Sequence, residues 1–118
     1  MTAVLKSIST IEGNDPSTFR PDDEMCFSLG LRLYVGPSDG EGSESFDVLV
    51  CSPGWLARQS ERDGFVVGRH HLVVNAYRYD LLRDQLAKLI GQFSGSNWSE
   101  VAAKVGRIGY WEFEDYAA

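Results

Sequence analysis

Phe27-Ser28-Leu29-Gly30-Leu31-Arg32-Leu33-Tyr34-Val35 decides the fold. Apolar side chains stand at every odd position, and Ser28, Gly30, Arg32 and Tyr34 fill the even ones. Side chains along a strand point alternately to the two faces of a sheet, so this stretch is a strand with one buried and one partly wet face. A second long strand follows in Phe46-Asp47-Val48-Leu49-Val50-Cys51. Gly36-Pro37-Ser38-Asp39-Gly40-Glu41-Gly42-Ser43 lies between them, turn-rich and acidic. Two strands joined by one flexible loop pair antiparallel, which puts a hairpin at the centre of the fold.

The flanking segments take their places around that hairpin. Residues 4–11, with Val4, Ile8 and Ile11, suit a strand. Residues 12–24 hold Gly13, Asn14, Pro16 and Pro21 and read as a loop. Ser52 suits an N-cap and Pro53 the first helical position, and Asp63-Gly64 ends that helix. Residues 69–77 are expected as a strand. Asp80 is expected to cap a helix running to about Phe93, with Leu82, Leu86, Leu89, Ile90 and Phe93 on one stripe. Asn97 with Glu100 resembles a capping box. Trp98, Val101, Ala102 and Val105 then share a helix face, and Gly106 stops it. Residues 107–114 are expected to close the sheet, with Trp111 and Phe113 in the core and Glu112 and Glu114 in solvent. The order predicts an α+β fold: one domain over residues 1–118, with a mainly antiparallel sheet covered by two to three helices.

Composition limits the function. The 118 residues are 43% hydrophobic and 24% charged, which excludes a disordered chain. Acids outnumber bases 17 to 11, for a formal charge of −6. Residues 1–50 carry −6, residues 51–111 carry +3, and Glu112, Glu114 and Asp115 carry −3. Nucleic-acid binding needs a basic footprint, so this charge opposes it and fits a basic protein partner. Cys26 and Cys51 are too few for a disulfide framework and are expected as two buried thiols. No signal peptide and no membrane span is visible, so a cytoplasmic location is expected.

Catalytic patterns are weak. His70 and His71 are the only histidines. Neighbours in a strand point to opposite faces, so they would not easily share a metal, and no other metal spacing exists. One histidine is expected buried and hydrogen-bonded, the other in solvent. A small enzyme would use one of them with Asp47 or Glu112 as partner. Residues 36–42 lack the Lys-Ser/Thr of a phosphate loop and carry acids that repel phosphate. A self-association patch at Tyr110 and Trp111 is the remaining alternative.

Several segments in fixed order resemble the immunity protein 8 family of bacterial polymorphic toxin systems. They are Glu44-Ser45-Phe46-Asp47-Val48, Cys51-Ser52-Pro53-Gly54-Trp55-Leu56, Gly68-Arg69-His70-His71-Leu72-Val73-Val74, Trp98-Ser99-Glu100 and Arg107-Ile108-Gly109-Tyr110-Trp111-Glu112-Phe113-Glu114-Asp115-Tyr116. The Gly-Arg pair and the Trp-Glu-Phe ending are the most specific of them. The resemblance implies an α+β fold and a protein that stays in the producing cell's cytoplasm. There it would bind a cognate toxin domain and prevent self-killing, with no cofactor and no turnover. A toxin acting on nucleic acid would offer the basic cleft that an acidic surface fits. Candidate partner contacts are Asp39, Glu41 and Glu44 in the hairpin loop, Arg69 and His70, and Glu112, Glu114 and Asp115. Arg69 is expected to have a structural role, paired with Asp47 or Glu112.

Overall fold

The computed structural model describes residues 1–115. Its elements are β1 (Ala3–Thr10), β2 (Ser28–Pro37), β3 (Glu44–Cys51), α1 (Pro53–Asp63), β4 (His71–Val73), α2 (Tyr79–Ile90), α3 (Trp98–Val105) and β5 (Tyr110–Trp111), with one 3-10 turn over Pro16–Thr18. This is an α+β fold, as the strand and helix order predicts. Tyr116, the end of the last family-like segment, lies outside the described residues.

The expected hairpin is the centre of the sheet. β2 and β3 pair antiparallel from Ser28↔Cys51 to Val35↔Glu44, and β1 pairs antiparallel with the other side of β2. Residues directly opposite on paired strands share a face. Leu31, Leu33, Phe46, Val48 and Val50 therefore line one face, and all are buried. Leu86 and Ile90 of α2 and Val101, Ala102 and Val105 of α3 close over that face. Each large side chain so buried contributes about 1.5–3 kcal/mol. The other face carries Arg32, Tyr34, Ser45 and Asp47. There Arg32 donates Nε and Nη2 to the two Asp47 carboxylate oxygens at 2.8 and 2.9 Å. Hydrogen bonding to Asp47 and its charge raise the Arg32 pKa still further.

The edge of β3 away from β2 is shared by two short strands. β4 runs parallel to Leu49–Cys51, and β5 runs antiparallel to Phe46 and Asp47. Both are much shorter than the strands expected over 69–77 and 107–114. His70 sits at φ 62°, which ends any extended run before β4. After Trp111 the backbone turns, Glu114 N donating to Trp111 O at 2.9 Å. That turn overrides the alternation expected for the ending. Phe113 is exposed and packs edge-on against Trp111, while the Glu114 side chain is only 19% exposed. Gly109 lets β5 approach β3, because a Cβ there would stand 3.0 Å from the Phe46 Cβ.

The helix ends follow the capping chemistry in two cases of three. Ser52 accepts from Trp55 N and Asn97 accepts from Glu100 N. Glu100 reaches back to Ser96 N, one residue before the usual partner. α2 starts two residues earlier than expected: Arg78 is its N-cap, with no side-chain cap bond, and Asp80 lies within the first turn. There the carboxylate meets the positive end of the helix dipole instead. Of the two free thiols Cys51 is buried and Cys26 only half-buried. Burial pushes the Cys51 thiol pKa up.

Ser52 is 1% exposed and ties α1 to the start of β2. Its Oγ accepts from Phe27 N at 3.0 Å and from Trp55 N at 3.3 Å, and donates to Met25 O at 3.1 Å. Ser52→Ala removes a cap and leaves the buried Phe27 N–H without its acceptor, so urea titration should show a loss of about 2 kcal/mol. Tyr77 donates its hydroxyl to Pro16 O at 2.6 Å, and burial, the largest cause, pushes its pKa up to about 12. The folded state therefore holds this proton more tightly than the unfolded chain. Its contribution is complete below pH 10 and falls away as pH rises towards 12. Tyr77→Phe should flatten the loss of stability over that interval, read by denaturant midpoints at each pH.

Candidate partner-binding site

The sites nominated from sequence converge because β4 and β5 share one strand edge. Glu112 N donates to Ser45 O at 3.1 Å, and Ser45 N donates to the Glu112 carboxylate at 2.8 Å. The ending 112–115 therefore lies beside the start of β3, where the acidic loop of the hairpin enters it. The two acidic stretches, far apart in sequence, thus lie at the same end of the sheet: the hairpin loop toward β1, where Lys6 Nζ donates to Gly40 O at 2.6 Å, and the ending on the β5 side. Asp39, Glu41, Glu112 and Asp115 are exposed there.

Arg69 is paired, but with neither expected partner. Its Nη2 lies 2.5 Å from Glu114 Oε1, and the Arg69 side chain is 59% exposed. Asp47 is held by Arg32 across the hairpin, and Glu112 is held by the Ser45 backbone. The Gly-Arg segment and the Trp-Glu-Phe ending thus meet through an ion pair. His70 adds two contacts to the same junction. Its Nε2 is 2.8 Å from Gly106 O, and its ring stands edge-on to Tyr110 at 5.8 Å. His71 bonds instead to Arg69 O through Nδ1, and its ring lies near Trp55. Both histidines are half-buried, so the expected division into one buried and one exposed does not hold. Nor does either meet Asp47 or Glu112: the hollow that His71 lines contains no carboxylate. Among the described residues no group of three His, Cys, Asp or Glu is placed to hold a metal.

Glu44 differs from the other nominated acids. It belongs to β3 rather than to the loop, and opposite Val35 it lies on the helix-covered face. Its Oε1 accepts from Trp98 Nε1 and its Oε2 from Trp111 Nε1, the latter at 3.4 Å. Trp111 in turn stacks on Phe46 with rings 9° from parallel. One half-buried carboxylate therefore joins the start of α3, the start of β3 and β5. Period-two alternation carries the signal for this: Glu44 shares the parity of Phe46 and Val48, the buried set. No spacing rule could have named its two indole donors.

The sheet with helices over one of its faces is an α+β domain, and the last described residues meet the start of β3 at one end of it. The sequence profile described as Immunity protein 8 matches residues 3–116, and the chain belongs to that family. Membership implies an immunity protein of toxin systems, with a toxin protein as partner. No curated protein and no solved structure matches the chain. No helix of the described residues is long and apolar enough to cross a membrane.

Glu44→Ala strips two indole N–H groups of their acceptor. It should cost about 1–3 kcal/mol in denaturant titration and shift tryptophan emission. Arg69→Ala removes the largely exposed partner of a half-buried Glu114 and should cost about 1 kcal/mol.

Proposed function

We propose that this chain is the cytoplasmic inhibitor of a cognate polymorphic toxin, which it neutralises by binding the toxin domain one to one. The family membership carries this reading. The junction of Asp39, Glu41, Glu112, Glu114 and Asp115 supports it, as a surface suited to a basic cleft. Such a cleft belongs to toxins that act on nucleic acid, whose substrate is itself polyanionic. An acidic surface that docks there speeds association and denies phosphate access. Arg69 and His70 frame that surface: one balances Glu114, the other holds Tyr110 and the Gly106 carbonyl. Glu44 acts behind it, setting the place of Trp111.

The test is to express the toxin domain encoded beside this chain, alone and together with it. Survival only in the presence of the chain, with a one-to-one complex on co-purification, is expected; equal killing in both cases would refute the proposal. The triple variant Asp39→Lys, Glu41→Lys, Asp115→Lys alters exposed side chains only. It should slow association at low salt by about tenfold or more and weaken its dependence on salt.

A further inference from the structure

The two edges of the sheet differ. The β1 edge is covered at its start and interrupted at Lys6. Ala3 N donates to Phe93 O at 3.0 Å, Thr2 bridges to Ser94, and the register breaks at Lys6. A bulge and a lysine are the usual protections of an exposed strand edge. The β4 edge has neither. Leu49 N donates to His70 O and Val74 N donates to Cys51 O, so the even-numbered residues of β4 bond to β3. The odd-numbered residues face away. His71 N turns back to Gly68 O, and the His71 C=O and the Val73 N–H and C=O are directed outward. Beyond that edge lies a trench between β4 and α2. Two hollows of about 440 and 540 Å³ form it, and they run together through Val74, Leu82 and Gln85. Val73, Leu81 and Leu89 stand exposed along it. The charged side chains lining it are Arg78 and Lys88, both positive.

We propose that this trench receives an extended segment of the cognate toxin, apolar and carrying a carboxylate, which adds to the edge of β4 as a further strand. The proposal rests on the chain being a toxin-binding protein. Backbone pairing with His71 and Val73 aligns the segment, and alternate side chains enter the apolar trench over Leu82. Its carboxylate answers Arg78 or Lys88. A second copy of this chain is disfavoured as occupant, because symmetric pairing would bring two sets of these cations together. The partner thus presents two unlike features: a basic cleft for the acidic junction and an acidic strand for the trench.

Val73→Pro deletes the outward N–H and spares the bonds to β3; proline is tolerated on an edge. Leu81→Asp with Leu89→Asp changes exposed positions on α2 and opposes a carboxylate, so it reports even where the proline variant fails to fold. Affinity for the whole toxin domain is measured by calorimetry, with overlapping peptides of that domain as second probes. A tenfold or greater loss of affinity in a folded variant, with one acidic-apolar peptide bound by the wild type, is expected. Wild-type affinity in both folded variants overturns the trench and leaves the inhibitor function standing. No binding by the wild-type chain overturns both. A wild-type dimer that either variant dissociates would assign the trench to a second copy and overturn the toxin segment.

Discussion

Every part of this fold depends on β3 being paired along both of its edges. A buried backbone N–H or C=O without a partner costs as much as a lost hydrogen bond or more, so a central strand cannot leave an edge open. β2 covers one edge over its whole length. The other is covered in halves, by β4 at Leu49–Cys51 and by β5 at Phe46 and Asp47. Those halves come from distant parts of the chain. Satisfying one strand's hydrogen bonds therefore brings the Gly-Arg segment against the Trp-Glu-Phe ending, where Arg69 meets Glu114.

Charge is then sorted by face and by depth. Arg32 and Asp47 neutralise each other on the face away from the helices. Glu44 is withdrawn among indoles and holds two elements in register. What remains outward at this end of the sheet is chiefly negative, although the sequence between the two acidic stretches is mildly basic. That basic character belongs in part to Arg78 and Lys88, at the trench beside β4. A formal charge of −6 thus conceals two surfaces of opposite preference.

The hairpin and two of the three helix caps were legible in the sequence because each depends on local rules. Leu31, Leu33 and Val35 declare their face by alternation, and Ser52 and Asn97 cap the helices that follow them. The α2 start was misplaced because Asp80 acts through the helix dipole and not as a cap. The short strands were overestimated because β propensity does not reveal a left-handed residue such as His70, nor a turn after Trp111. Partner identity was least legible. The sequence reading pairs Arg69 with Asp47 or Glu112; both are held elsewhere, and Glu114 takes the place that neither fills. The period-two rule contained the inward position of Glu44, but not Trp98 and Trp111 as its donors.

The division of that strand edge also bears on the order of assembly. β1, β2 and β3 are joined through neighbouring strands, whereas Ser45 and Glu112 bond across 67 residues. Closing the longer loop costs more chain entropy, so contacts of this kind form late. The acidic ending, held through Glu112 to Ser45 and Glu114 to Arg69, depends on such contacts, whereas Asp39 and Glu41 belong to the local hairpin loop.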